Sequence, residues 1–185
     1  MRVAISGTHC SGKSTLIDAF LPGHGDYVHE PEAYEALQDV YGEVFAAEAS
    51  AEDLYRQLEY HVGRLQQYCA GDRVVFERSP ADYLAYLLAL EDLDRDAADA
   101  RLTERAIEVA RGAVAFLDVI VYLPVTHEGR VTDLEDPELR SAMDARLGSL
   151  LIDNDFDLFT GGRPEILLAY GRTARRLRAL ETALR

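Results

Sequence analysis

The stretch Gly7-Thr8-His9-Cys10-Ser11-Gly12-Lys13-Ser14 decides the fold of this chain. It matches the pattern G-x-x-x-x-G-K-[ST], in which backbone N–H groups and a lysine hold phosphate groups. Lys13 is the single lysine of the chain, and the other formally basic side chains are all arginines. A compact ammonium reaches phosphates in a way that the broad, planar guanidinium does not simply replace. The stretch therefore predicts a phosphate-binding loop rather than a chance match.

The residues on either side of this loop predict a strand before it and a helix after it. Arg2-Val3-Ala4-Ile5-Ser6 is a short run of the kind that forms a buried parallel strand. After the loop, Leu16, Ala19 and Phe20 fall on one face of a helix. Strand, glycine loop and helix is the order that phosphate binding requires, because the start of a helix adds free N–H groups and a partial positive charge.

The loop residues are expected to bind a nucleotide mainly through their backbone. We expect the segment 7–15, which ends at Thr15, to surround the phosphates of ATP, and the Ser14 hydroxyl to bind Mg²⁺. His9 and Cys10 occupy variable positions of the pattern, so we expect them to contribute backbone rather than side-chain chemistry. The predicted cofactors are ATP and Mg²⁺.

The composition limits the class of protein. The formal net charge of −14 disfavours binding to nucleic acid or to an anionic membrane surface, since both need basic patches. Cys10 and Cys69 form neither a disulfide framework nor a metal-spaced pair, which favours a reducing compartment. The longest apolar stretches, around 83–90 and 119–125, are too short to span a bilayer. We therefore expect a cytoplasmic protein with no membrane or nucleic-acid partner.

Strand and helix patterns alternate along the whole length, with no linker, so we expect one domain over 1–185. Strands are predicted at 2–6, 27–29, 73–77, 119–123 and 165–170, and helices at 14–20, about 32–47, 52–69, from 80, about 98–115, from about 137 and 173–184. Ser79 before Pro80 is predicted to cap its helix. This alternation indicates an α/β fold, a five-stranded parallel sheet with helices on both faces in three layers.

Two further motifs end predicted strands, where ligands of parallel sheets bind: Glu30-Pro31 and Glu77-Arg78-Ser79. With them the chain resembles a P-loop kinase of the nucleoside and nucleoside-monophosphate kinase group. It looks most like the small AAA-type ATP-binding proteins that include ribosylnicotinamide kinase domains. Glu30-Pro31 resembles the Glu-Pro of deoxynucleoside kinases, whose glutamate is the base for the acceptor hydroxyl. Glu77-Arg78-Ser79 resembles their Asp-Arg-Ser motif, with Glu in place of Asp.

The resemblance implies a role for each of these residues. It places Glu77 near Mg²⁺, Arg78 near the reactive end of the acceptor, and Gly171, after the fifth strand, beside the adenine. Since the glutamate at 77 is longer than the usual aspartate, the choice between Glu30 and Glu77 as the base stays open. The following arginines, Arg175, Arg176 and Arg178, are expected to form a solvated helix face.

A mobile lid is expected at about 126–150, supplying an arginine to the transferring phosphate. Its polar part is 126–133, and Asp136-Pro137-Glu138-Leu139-Arg140 opens the helix that follows. Arg140 is the first candidate and Arg130 the second. The alternative for Arg140 is an exposed ion pair with Asp144, four residues further along the helix.

The charges around the predicted site favour a neutral or cationic acceptor. Between Arg2 and Arg56 the sole lysine or arginine is Lys13, while residues 24–55 hold six glutamates. Such an acidic wall repels an anion, so we expect a small-molecule hydroxyl acceptor such as a nucleoside or nicotinamide riboside. Tyr34 and Tyr41 are candidates to stack on its base, and Gln57 to hydrogen-bond the base edge.

Other functions stay open. Arg56, Arg64 and Arg78 are candidates to grip an acceptor phosphate, which keeps a nucleoside-monophosphate kinase in view. An antibiotic or metabolite kinase fits the same pattern, and so does a regulatory ATPase without kinase activity. A guanine-binding Asn-Lys-x-Asp motif is absent, because the chain has no second lysine. A homodimer also stays open.

Overall fold

A computed structural model of the chain describes residues 1–42, 50–95, 99–125 and 136–184. Its centre is a five-stranded parallel sheet in the order β2-β3-β1-β4-β5. The strands are β1 (Arg2–Ser6), β2 (Val28–Glu30), β3 (Val74–Glu77), β4 (Val119–Tyr122) and β5 (Glu165–Leu168). The helices are α1 (Lys13–Phe20), α2 (Ala33–Tyr41), α3 (Ala51–Leu65), α4 (Pro80–Asp92), α5 (Ala100–Val114), α6 (Pro137–Gly148) and α7 (Thr173–Ala183). The predicted α/β fold is confirmed.

Helices cover both faces of the sheet. Successive side chains of each strand point to opposite faces, and each face has its own hydrophobic core. On one face, Ala4 and Phe76 pack against α3, α4, α5 and α6. On the other face, Val3 and Ile5 pack against α1 and α7, whose Leu180 is fully buried. The layer with α1 and α7 therefore lies opposite the layer with α4 and α6.

The register of the sheet places the phosphate-binding loop between two strand ends. In β1, Ile5 pairs with Glu77 of β3, and Ser6 pairs with Tyr122 of β4. The loop leaves β1 at Gly7, so it emerges at the carboxyl edge beside both neighbours. β2 lies on the far side of β3 and brings Glu30 to the same edge.

Helix α4 is buried along most of its length. Its residues from Pro80 to Leu90 are all buried, since the helix packs against the sheet, α3, α5 and α6. This explains a sequence that is apolar on every side of the helix rather than along one stripe. The predicted Ser79 cap is present as a capping box with Asp82.

Some element boundaries differ from those expected. β2 extends to Glu30, and α2 ends at Tyr41, where Gly42 adopts a left-handed φ of 68° that stops the helix. Beyond α6, a π-helical turn spans Ser149–Asp153 and a 3-10 turn spans Asp155–Asp157. Of the expected lid, residues 126–135 lie outside the described part of the chain, so the prediction for Arg130 cannot be placed.

Within the described ranges, no helix has both the length and the hydropathy that crossing a membrane demands.

Candidate phosphate-binding site

The backbone of the loop favours glycine at the two glycine positions of the G-x-x-x-x-G-K-[ST] pattern. Gly7 has φ of 152°, and a Cβ built there would lie 2.6 Å from Ser11 Oγ and 2.9 Å from the carbonyl oxygen of Leu123. Gly12 has φ of 92° and precedes α1 directly. A side chain at Gly7 would have to displace backbone, so the closed turn of the loop depends on this glycine.

Lys13 is buried and its ammonium lies on the loop itself. Its Nζ donates a hydrogen bond to the carbonyl oxygen of Thr8 at 3.0 Å. Burial and the charge of Arg78 together lower the pKa of Lys13 to about 8, although the carboxylates of Glu32, Asp82 and Glu77 oppose the shift. A bound anion would supply this desolvated ammonium with a partner stronger than a carbonyl group.

Ser14 and Glu77 meet beside Lys13. The Ser14 hydroxyl donates to Glu77 Oε1 at 2.8 Å, which joins the first turn of α1 to the end of β3. Among the residues the structure describes, no cluster of three or more His, Cys, Asp or Glu side chains could hold a metal. A hydroxyl beside a single carboxylate fits Mg²⁺, which takes one or two protein oxygens and completes its shell with phosphates and water.

Arg78 is fully buried at the start of the loop. Its backbone has a left-handed φ of 73°, and its Nη1 donates to the carbonyl oxygen of Gly7 at 3.1 Å. Its Nε donates to Glu32 Oε1, and its guanidinium lies 5.2 Å from the ring centre of Tyr86. Its Nη2 is buried without a hydrogen-bond partner among the described residues, which marks a place for an acceptor atom from a ligand.

Asp82, which the sequence interpretation gave no role at the loop, fixes the loop to α4. Its Oδ2 accepts from the backbone N–H and the hydroxyl of Ser79, both at 2.8 Å. Its Oδ1 accepts from the N–H of Gly7 at 2.9 Å. The carboxylate therefore caps the helix and orients the first residue of the loop at the same time.

Glu30 and Glu32 have different partners. Glu30 accepts from Arg64 Nε at 2.9 Å and from Arg64 Nη2, and it also accepts from the Tyr68 hydroxyl. Burial opposes ionisation of Glu30, but these hydrogen bonds outweigh it and the pKa is lowered. Glu32, which the sequence did not single out as a site residue, is instead the partner of Arg78.

Glu32 lies close enough to the loop for the charges of the loop to act on its carboxylate. Burial alone would raise the pKa of Glu32, but the charges of Arg78 and Lys13 outweigh burial and lower it. Glu35, one turn further along α2, has a raised pKa, first through burial and then through the charges of Glu77 and Glu32. Of the acidic side chains that the sequence placed near the acceptor, Glu32 and Glu35 thus lie close to the charged groups of the loop and of the end of β3.

Arg140 reaches the loop from α6. Its Nε donates to the carbonyl oxygen of His9 at 3.2 Å, and the residue is only 7% exposed. Arg140 therefore does not lie on an exposed helix surface, as the alternative assumed, although its charge does act on Asp144. Asp144 accepts from the Tyr122 hydroxyl at 2.9 Å and from the N–H of Val125, which fastens α6 to the end of β4.

Arg176 departs from the expected solvated helix face. Its Nη1 donates to the carbonyl oxygen of Ser11 at 2.6 Å, and it is partly buried, whereas Arg175 and Arg178 are exposed as expected. A signal for this was present in the sequence, because Arg176 stands one turn before the core residue Leu180. Gly171 has φ of 85° in the exposed turn that leads into the same helix.

Four cationic side chains thus converge on the carbonyl groups of one loop. In order along the loop, Gly7, Thr8, His9 and Ser11 accept from Arg78, Lys13, Arg140 and Arg176. In a chain whose formal net charge is −14, these four cations are gathered at one loop, beside the carboxylates of Glu32, Asp82 and Glu77. A triphosphate is a polyanion of the right kind for a glycine loop at a helix start.

Solved structures with a similar fold include kinases. A deoxyadenosine kinase from M. mycoides with bound dATP matches with a TM-score of 0.66 and 18% identity, covering 100% of this chain and 99% of that chain. A thymidylate kinase from Candida albicans matches with a TM-score of 0.71 and 13% identity, covering 99% and 90%. A NadR protein in complex with NR matches with a TM-score of 0.65 and 15% identity, covering 98% of this chain and 50% of the NadR chain. At these identities the likeness shows the fold.

The sequence itself matches one protein-family model. No curated protein matches the chain. The model described as AAA domain matches residues 2–160, which include the loop, the ends of β2 and β3, and the whole of α6. The resemblance to small AAA-type P-loop proteins is confirmed, and the chain belongs to the AAA domain family.

Proposed function

We propose that this protein is an ATP- and Mg²⁺-dependent phosphotransferase that moves the γ-phosphoryl group to a hydroxyl of a small molecule. The observation that carries the proposal is the convergence of Arg78, Lys13, Arg140 and Arg176 on a glycine loop beside the Ser14–Glu77 pair. Phosphoryl transfer needs positioning and neutralisation of charge more than covalent chemistry by the protein. The kinase names of similarly folded structures support the same reaction class.

The residues of the loop would bind the triphosphate and the metal. Backbone N–H groups of residues 8–15 would contact phosphate oxygens, while the N–H of Gly7 stays with Asp82, and Lys13 would exchange the Thr8 carbonyl for a phosphate. Ser14 and Glu77 hold Mg²⁺, which supplies positive charge at phosphate oxygens when it is bound. Gly171, in the turn before α7, borders the adenine.

Arg78 and Arg140 would act at the transferring phosphoryl group. Arg78 has a buried Nη2 without a partner in the described chain, and Glu32 holds the rest of its guanidinium in place. Arg140 extends from α6 to the loop at His9. Positive groups held in a site from which water is excluded stabilise the negative charge of phosphoryl transfer more than solvated ones do. Arg130 keeps its predicted role as the second lid arginine.

The acceptor proton needs a carboxylate, and the site offers Glu30, Glu77 and Glu32. Glu30 is engaged by Arg64 and Tyr68, and Glu77 by the Ser14 hydroxyl of the metal pair. Glu32 lies against Arg78 and feels the charge of Lys13. Each carboxylate thus has a partner, but the partner of Glu32 lies at the loop and is not part of the metal pair. We therefore assign Glu32 to accept or orient the hydroxyl proton, with Glu30 clamping β2 to α3.

A neutral or cationic acceptor, such as a nucleoside or nicotinamide riboside, suits the charges of this region. Of the arginines that were candidates to grip an acceptor phosphate, Arg64 already binds Glu30, and Arg78 is assigned to the transferring phosphoryl group. On α3, Gln57 is buried, and the neighbouring His61 has a buried Nε2 without a partner in the described residues. Burial lowers the pKa of His61 to about 4, so its ring is neutral near pH 7 and suits an uncharged base.

A phosphate-transfer screen tests the proposal. Purified protein, ATP and MgCl₂ are incubated with adenosine, deoxyadenosine, thymidine, nicotinamide riboside and thymidine monophosphate, and the products are separated by mass. We expect a phosphorylated nucleoside or riboside with the native chain, and none with Lys13→Ala. Transfer to thymidine monophosphate alone would show a monophosphate kinase instead. Transfer that survives Lys13→Ala would reject the loop as the active site.

A further inference from the structure

Helix α7 brings a guanidinium to the side of the loop that faces α1. Arg176 Nη1 lies 2.6 Å from the carbonyl oxygen of Ser11, and a Cβ built at Gly12 would lie 3.1 Å from the same nitrogen. α7 packs on α1 through the core that contains Leu16 and Leu180. The guanidinium is therefore held at the start of α1 by a helix that is itself fixed to the core.

Arg176 differs from the other three cations of the loop in its charge partners. Arg78 is paired with Glu32, Lys13 is surrounded by the carboxylates of Glu32, Asp82 and Glu77, and Arg140 acts electrostatically on Asp144. Across the described residues, Arg176 forms no ion pair with a carboxylate, although the chain has 33 of them. It has only a carbonyl oxygen as its hydrogen-bond partner there.

The environment of Arg176 makes the missing countercharge significant. Burial lowers the pKa of Arg176, and no opposing carboxylate restores it. Its Nε is also buried without a hydrogen-bond partner in the described part of the chain. A partly desolvated cation without a counter-anion is unfavourable, so an anion that binds beside it gains a favourable charge interaction.

We propose that Arg176 binds the α-phosphate of the nucleotide. This deepens the proposed function, since it assumes that the loop holds a nucleotide. Arg78, Glu32 and Arg140 occupy the α4 and α6 side of the loop, where phosphoryl transfer would take place. Arg176 lies on the opposite side, on the helix that follows Gly171, where the adenine would lie. Of the three phosphates, the α-phosphate is nearest the adenine end.

Calorimetric titrations with ATP, ADP and inorganic pyrophosphate, each with Mg²⁺, test this assignment on the native chain and on Arg176→Ala. Loss of a charge-assisted hydrogen bond predicts about tenfold or greater weakening for ATP and for ADP. Binding of pyrophosphate, which has no α-phosphate, should change by less than about twofold on the same scale. Arg176→Lys should restore part of the affinity. Arg178→Ala, which removes an exposed arginine further along the same helix, should leave all three unchanged.

The outcomes separate this inference from the proposed function. No binding of ATP by the native chain would reject both. Binding by the native chain that Arg176→Ala leaves unaltered would reject the role of Arg176 alone. Equal weakening of ATP and pyrophosphate would also reject it, because Arg176 would then merely shape the loop. GTP provides a further check: a loss for ATP that GTP does not share would place Arg176 at the base rather than the phosphate. Thermal melting of each variant checks that it is folded.

Discussion

Raising the pH from 7 to 9 should weaken the binding of Mg²⁺-ATP through the charge of Lys13. In the nucleotide-free protein the pKa of this side chain is lowered from 10.5 to about 8, chiefly because it is buried. At pH 9, Lys13 is therefore neutral in about nine-tenths of the protein molecules before nucleotide binds. A triphosphate favours the ammonium form, so binding at pH 9 must take up about one proton, and the affinity should fall about tenfold from its value at pH 7.

The same shift has the opposite effect on folding. Because the pKa of Lys13 is lower in the folded than in the unfolded chain, the unfolded chain holds more protons between pH 8 and 10.5. In that window the contribution of Lys13 makes the free energy of unfolding increase with pH, by up to about 3 kcal/mol. Below pH 8 the buried ammonium lowers the free energy of unfolding by this full amount, and a bound nucleotide would offset the loss.

Calorimetry in two buffers with different enthalpies of ionisation measures the proton uptake directly. The titrations are repeated with Cys10→Ser, which removes the exposed thiol of the same loop. The pH dependence should survive that substitution. An ATP affinity that is flat from pH 7 to 9, with no proton uptake, would refute the reasoning from the burial of Lys13.

Three further predictions extend the test. Glu32→Gln should lower kcat for acceptor phosphorylation about 10²- to 10⁴-fold, whereas Glu30→Gln should lower it much less. The reverse order would make Glu30 the base. Melting curves of both variants distinguish an effect on catalysis from the loss of stability caused by a broken ion pair. Gly7→Ala should abolish detectable ATP binding in calorimetry, because its Cβ would lie 2.9 Å from the carbonyl oxygen of Leu123; native-like affinity would contradict the strained turn. Arg140→Ala should reduce kcat about 10²-fold or more with the ATP affinity within about threefold of native, as steady-state kinetics can show; an effect on affinity alone would move Arg140 away from the γ-phosphate.

The fold and the loop were predictable because their signals are local. The glycine pattern, the strand before it and the alternation of strands and helices depend on neighbouring residues, whereas the strand order β2-β3-β1-β4-β5 does not follow from them. Ser79 as a helix cap and Arg140 near the loop were also accessible, since each belongs to a short motif at the start of a helix.

The pairing of the charges was not accessible from the sequence. Glu30 and Glu32 are two residues apart, and which of them meets Arg78 depends on the left-handed backbone of Arg78 and on Arg64 of a distant helix. Asp82 has a clear local role as part of a capping box, which hides its second role at Gly7. Arg176 could have been found, because its spacing from Leu180 places it on the packed side of α7.

The attachment of Gly7 to Asp82 links the mouth of the loop to the most enclosed helix of the molecule. Breaking that hydrogen bond would leave the fully buried carboxylate of Asp82 without one of its donors. Loosening of the loop therefore costs free energy as long as α4 remains in place. The cradle for the ligand and the interior of the protein consequently form one cooperative unit. A substitution that opens a cavity along α4, even far from the loop, should therefore lower the ligand affinity as well as the melting temperature.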